Sequence, residues 1–292
     1  MTYRILETDK SLGHALRRIG VDQLEAAIDD TRRPLDDADA AVHDIRKHCK
    51  KLRGLFRLVR PGFPDYAEEN AAVRDAARMT SSLRDAGVLL KTFDALLIDT
   101  DPAPFDGLRA TLAAETGRSL SEAELSAAFE QQRKALKAIR KRAHHWKTQG
   151  NSDKVLLKGL SKTWRRAARG FDQAAQSKDP ESFHEFRKRT KDHWYHSRLL
   201  QGFWPGPIRS HRDQVRTLSE RLGEYQDLSV FLERLDGPDL PVSSEQMRLI
   251  ALRRRRQIGD DALALASKVF VGDIDDLPRS WQRRWKPWAK SA

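Results

Sequence analysis

The chain has 292 residues, 39% hydrophobic and 33% charged, with 54 Lys and Arg against 42 Asp and Glu, for a formal net charge of +12. That length allows a sizeable core, while no segment approaches the roughly 20 apolar residues that span a bilayer and Met1-Thr2-Tyr3-Arg4-Ile5-Leu6-Glu7 lacks the apolar stretch of a secretory signal. The single cysteine, Cys49, excludes an intramolecular disulfide and fits a reducing, cytoplasmic setting, and the positive balance implies an anionic partner: nucleic acid, another polyphosphate or an acidic membrane surface.

Stretches rich in Ala, Leu, Glu, Lys and Arg, with few β-branched runs, predict an all-α chain. A first amphipathic helix runs from about Ser11 to Arg33, closed by Pro34, and a second from about Asp39 to Arg60, closed by Pro61-Gly62. A third covers about Asp65 to Ile98, ahead of Asp101-Pro102-Ala103-Pro104, and Ser119-Leu120-Ser121-Glu122 is an N-cap region opening a fourth that ends near Lys147. After Gly150-Asn151-Ser152 come the counterparts, about Lys154 to Gln176, Pro180 to Leu200, Ile208 to Leu235 and Ser243 to Phe270, bounded by Pro or Gly. Residues 1–150 and 151–272 are thus two four-helix halves. Residues 273–292 form a basic tail whose Trp281, Trp285 and Trp288 can dock on the bundle, the preferred reading, or rest on a membrane or partner surface.

The halves are related by a repeat. Val42-His43-Asp44-Ile45-Arg46-Lys47 recurs as Phe183-His184-Glu185-Phe186-Arg187-Lys188, and the match continues through Lys50/Lys191, Arg57/Arg198, Leu58/Leu199 and Val59/Leu200 at a constant offset of 141 (184 minus 43). A second pair sets Val73-Arg74 through Leu83-Arg84-Asp85 and on to Leu90 against Val215-Arg216 through Tyr225-Gln226-Asp227 and on to Leu232, and a weaker third sets Arg17-Arg18 against Arg165-Arg166. Each half packs most simply as an antiparallel four-helix bundle, and a pseudo-twofold axis between the bundles would bring the two motif helices together.

On a helix, His, Arg, Lys, Lys and Arg at n, n+3, n+4, n+7 and n+14 fall within an arc of roughly 100°. The result is one cationic stripe of His43, Arg46, Lys47, Lys50 and Arg57, with Arg53 beside it, and another of His184, Arg187, Lys188, Lys191 and Arg198. The opposite faces carry Ile45, Leu52, Leu55, Phe56 and Val59 in one copy and Phe186, Thr190, His193, Ser197 and Leu200 in the other; Cys49 is on the inner side as a small buried hydrophobe. A solvated face mixes signs, because like charges four apart weaken a helix. Arg46 with Lys50, Arg53 with Arg57 and Arg187 with Lys191 accept that repulsion, which assigns the stripes to a ligand that neutralises them.

From His43 to Arg57 a helix rises about 21 Å at about 1.5 Å per residue, a ladder suited to an extended, repeating anion. Guanidinium forks and lysine point charges both fit a phosphate chain, and such a ligand would favour charged imidazoles on His43 and His184, so that binding takes up protons. Ranked below the stripes as further rungs are Arg17, Arg18, Arg133, Lys137, Arg140, Arg165, Arg166, Arg169 and the run that starts at Arg253; Tyr195 and flanking Trp194 are the aromatics of the stripe.

The doubled His-x-x-Arg-Lys-x-x-Lys pattern, followed by a helix with Leu83-Arg84-Asp85 or Tyr225-Gln226-Asp227, resembles the CHAD family, named for its histidine-bearing α-helical domain, from about Ser11 to Phe270. The resemblance implies two four-helix bundles with twofold pseudosymmetry around a basic channel that binds inorganic polyphosphate, often at polyphosphate granules, with the eleven stripe residues as its motif positions. Trp194 stands where Arg53 would repeat, Asp192 where Lys51 would and Gln226 where Arg84 would, so the second stripe is less basic. The triphosphatase module often fused to such domains carries Glu-x-Glu-x-Lys; Glu122-Ala123-Glu124-Leu125-Ser126 lacks the lysine.

Enzyme readings find little support. There is no Gly-x-x-x-x-Gly-Lys-Ser/Thr loop; His43-Asp44 lacks the further ligands of a phosphohydrolase; Asp192, His193 and His196 sit on one helix; and His211-Arg212-Asp213 reads as a loop without kinase motifs. The chain is therefore read as a non-catalytic polyphosphate binder with no cofactor or metal. Nucleic-acid binding is the rival, disfavoured by the scarcity of rings on which bases could stack.

Overall fold

The computed structural model describes residues 2–80, 85–98, 100–116, 121–238 and 240–291. Among these residues the chain forms eleven α-helices and no strand: α1 (Leu12–Asp30), α2 (Ala38–Val59), α3 (Tyr66–Arg78), α4 (Asp85–Leu96), α5 (Asp106–Thr116), α6 (Glu122–Ala143), α7 (Ser152–Ser177), α8 (Pro180–Leu200), α9 (Pro205–Leu235), α10 (Ser243–Val269) and α11 (Asp276–Ser291). The all-α expectation holds. Side-chain caps set several starts: Ser11 accepts from His14 N at 3.0 Å, Asn151 from Lys154 N at 3.1 Å and Asp179 from Ser182 N at 2.9 Å, and Ser121 with Glu124 forms a full capping box on α6.

The third expected helix is instead two, α3 and α4, which pack on different partners. α3 lies on α2 and α6, whereas α4, with the unanticipated α5, lies on α9 and α10. Arg84 and the rest of 81–84, and Ser119-Leu120, lie outside the described residues.

Two buried cores result, and they do not divide at residue 150. One joins Leu16, Ile19, Ile45, Leu52, Phe56 and Trp146 to Leu156 and Leu160 of α7 and Tyr195 and Leu199 of α8. The other joins Phe93, Phe105 and Leu108 of the first half to Trp164, Phe183, Phe186 and Phe231 of the second. Helices α7 and α8 pass through both cores, so their burial ties the halves together. α11 packs on α7 with Trp281 and Trp285 buried, and the Trp285 indole N–H donates to Asp153 Oδ1 at 2.6 Å; the tail docks, as preferred from its sequence.

α2 touches both of these shared helices at glycines. A Cβ added to Gly54 would lie 2.8 Å from Tyr195 Cβ, and one added to Gly159 would lie 1.8 Å from the Leu58 carbonyl oxygen. At Gly159 backbone has to approach backbone, and at Gly54 the α2 backbone lies against the root of the Tyr195 side chain, so each contact needs a residue without a Cβ. Gly159→Ala should therefore cost at least the upper end of the about 1–3 kcal/mol typical of overpacking, read as a lowered urea midpoint, and Gly54→Ala should cost less because the overlap there is smaller, 2.8 Å against 1.8 Å.

Candidate functional site

Helices α2 and α8 run antiparallel past each other at Gly54. Arg57 meets Asp192 at 2.9 Å on one side of the crossing, and the His196 Nε2–H donates to the Gly54 carbonyl at 3.1 Å at its centre. The faces expected to be buried are buried: Ile45, Leu52, Leu55, Phe56 and Val59 on α2, and Phe186, Thr190, His193, Ser197 and Leu200 on α8. Cys49 is buried too, its thiol pushed up to about 12 by desolvation.

Beside the crossing lies a cleft of about 640 Å³. His43, Lys47 and Lys50 line it from α2, Lys191, Trp194, Tyr195 and Arg198 from α8, and Arg212, Asp213, Arg216 and Glu220 from α9. Six permanent cations thus face two carboxylates, and those two are engaged, Asp213 with Arg212 at 2.7 Å and Glu220 with Arg216 at 2.8 Å. The residues of the two repeats share one cavity, although 141 positions separate them in sequence.

Desolvation and mutual repulsion act on these cations. Burial, then Arg187, lowers the Lys191 ammonium; burial lowers Arg198; and burial, then Arg198 and Lys47, brings Lys51 down to about 8. Among the described residues none of Lys51, Lys191 and Arg198 has a carboxylate within ion-pair distance. The repeat makes a contrast here. At the offset of 141, Arg57 corresponds to Arg198 and Lys51 to Asp192, so one arginine is neutralised across the crossing while its partner sits beside another cation.

The cleft collects His43, Lys47, Lys50, Lys191 and Arg198, with Tyr195, and leaves the other stripe residues outside its lining. Arg57 is held by Asp192, Arg53 donates to Asn70 Oδ1 at 3.1 Å, and Arg46 turns Nε into the protein without a hydrogen-bond partner. His184 hydrogen-bonds Gln226 Oε1 at 2.6 Å, Lys188 pairs with Glu185, and Arg187 runs beside Gly223. The lower-ranked cations lie elsewhere. Arg17 donates to the Trp146 carbonyl at 2.8 Å, Arg18 forks onto Asp9, Arg133 pairs with Glu130 and Arg165 with Asp275. Lys137 and Arg140 line a separate hollow of about 300 Å³ with Glu25, while Arg166, Arg169 and Arg253 are on exposed faces.

Arg212 and Arg216 are not among the site residues read from the sequence, although they fall within the helix expected from about Ile208 to Leu235. The segment is helical: α9 begins at Pro205, with proline at its first turn. The available signal was the like-charge pair four apart, the same anomaly that marks α2 and α8. His211 itself is half-buried, Nε2 to Nε2 with His193 at 2.8 Å, between Trp164 and Trp281. Among the described residues no group of three or more His, Cys, Asp or Glu is arranged to hold a metal.

Burial holds His196 at about 3, His211 and His48 at about 4, and His193 well below the usual histidine value. The unfolded chain protonates these groups near pH ~6.5 while the folded chain does so only far lower. Their contribution is therefore present above pH ~6.5 and lost as the pH falls toward the folded values. Urea midpoints should drop from pH ~6.5 to pH ~4 with a slope of more than one proton. Lys51, held at about 8, works on the alkaline side. The folded protein releases this proton first, so stability should rise between pH ~8 and ~10, and Lys51→Met should remove that rise.

The CHAD domain sequence model matches residues 16–236. No curated protein matches the chain. Among solved structures, the crystal structure of the CHAD domain from the plant Ricinus communis is 19% identical, over 97% of this chain and 96% of that one, with a TM-score of 0.58. At that identity the likeness is one of fold. The family match runs from α1 to the end of α9, well over half of the chain, and it takes in both motif helices that meet at Gly54; the chain belongs to the CHAD family.

Proposed function

We propose that the protein is a non-catalytic binder of inorganic polyphosphate that grips the extended polyanion by side-chain charge in the cleft between α2, α8 and α9. The observation that carries this reading is the excess of six permanent cations over two carboxylates lining one cavity, even though Arg212 and Arg216 pair with those two and Lys47 with Asp44. Such a cavity costs free energy when empty, because like charges repel in a partly desolvated space, and a polyanion relieves that cost. The CHAD family, associated with polyphosphate binding in general, supports the same ligand. We also assign the protein to the cytoplasm, at polyphosphate granules. The lone buried Cys49 agrees with a reducing compartment, and no described helix is long and apolar enough to cross a membrane.

Phosphate is favoured over nucleic acid by the state of the rings. Tyr195 is buried, and the Trp194 ring has Lys191 at 4.2 Å and Arg198 at 5.0 Å over it, so neither offers a base an open face. At fixed ionic strength, long-chain polyphosphate should therefore outcompete single-stranded DNA and RNA; nucleic acid winning that competition would reverse the assignment. With about six phosphate contacts, the plot of log affinity against log salt should have a slope on the order of −4 to −5. Lys50→Glu with Lys191→Glu should abolish binding while leaving the helical circular dichroism intact. Release of phosphate from polyphosphate by the wild type with added magnesium or manganese would replace the binding reading with an enzymatic one.

A further inference from the structure

Two cations of the cleft, Lys191 and Arg198, and Lys51 beside them rest on rings. Lys191 Nζ is 4.2 Å from the Trp194 ring centre and 5.9 Å from that of Tyr195; the Arg198 guanidinium is 5.0 Å from Trp194 and 5.2 Å from Tyr3; Lys51 Nζ is 5.9 Å from Tyr3. The rings brace one another, Tyr3 edge-on to Tyr195 at 6.0 Å and Tyr195 against Trp194 at 5.0 Å. Tyr3 comes from the segment before α1, which is fixed across α2 and α8 by two hydrogen bonds: its hydroxyl donates to the Lys51 carbonyl at 2.7 Å, and Ile5 N donates to the Leu199 carbonyl at 2.9 Å.

A carboxylate could hold a half-buried cation in place, but it would also cancel the charge that a ligand needs. Asp192 does this to Arg57. A ring face attracts a cation through its quadrupole and leaves the net charge untouched. Resting on the polyphosphate reading above, we propose that Tyr3, Trp194 and Tyr195 are positioning residues: they form an aromatic floor that aims Lys191 and Arg198 into the cleft, with Lys51 beside them, while keeping their charge available to phosphate. The cleft then grips hardest at this end, where the repeat replaces Asp192 by Lys51 and Arg53 by Trp194.

The test uses the full chain and long-chain polyphosphate, with Trp194→Leu and Tyr3→Leu against the ring-keeping Trp194→Phe and Tyr3→Phe. Each Leu variant should weaken binding about tenfold at fixed salt, and each Phe variant should stay within about threefold of wild type. Leu and Phe variants that weaken alike, or Leu variants that bind as wild type does, overturn the proposal. A ligand-free readout accompanies this: after reductive methylation, which keeps the charge, the dimethyl-lysine resonance of Lys191 should be shifted upfield by the ring current of residue 194, the indole in the wild type and the smaller phenyl ring in Trp194→Phe, and should lose that shift in Trp194→Leu. An unshifted Lys191 in the wild type sinks the floor whatever the binding data show. A shifted Lys191 in a wild type that ignores polyphosphate sinks the ligand assignment and leaves the floor standing.

Discussion

The closeness of α2 and α8 at Gly54 is the constraint on which the rest of the structure depends. Glycine lets the α2 backbone come against Tyr195, and the His196 N–H closes on the Gly54 carbonyl in the same contact. Two helices that each carry a row of like charges would ordinarily stay apart. Here apolar burial on their far faces, from Ile45 to Val59 and from Phe186 to Leu200, holds them together. The repulsion between the rows remains as a property of the cleft.

How the cations are held differs across the crossing. On the Arg57 side a carboxylate, Asp192, meets the arginine in a nearly dry position, and desolvation raises its pKa against the pull of Arg57 and Arg189. On the Arg198 side, no carboxylate among the described residues pairs with Arg198 or Lys191, and aromatic faces lie beneath the charges. The repeat therefore gives two chemically distinct ends from nearly the same motif. A duplicated element can keep its backbone role while two or three side-chain differences redistribute charge by several units.

The packing of the halves explains why one helix was misjudged in sequence. The stretch from 65 to 98 has helical composition throughout, so nothing in its periodicity announces that α3 ends at Arg78 and that α4 leaves to cover Phe231 in the other core. Propensity is local, whereas the choice of core is set by which apolar surface lies open nearby. The same holds for α11, whose Trp281 lies against His193 and His211 and whose Trp285 meets Asp153, partners at least 70 positions away.

Periodicity and duplication, both readable in the residues themselves, determined the all-α class, the two motif helices, their buried and charged faces and the anomaly of like charges four apart. Helical spacing of 3.6 residues settles which side chains share a face, because that geometry is local. It says nothing of what that face meets. That Lys50 and Lys191 share one cavity, that Arg57 is neutralised while Arg198 lies over rings, and that Arg212 and Arg216 of α9 complete the lining were decided only by tertiary packing. Those neighbours are brought together across about half the chain by burial, which depends on shape and apolar area and leaves no periodic trace in sequence.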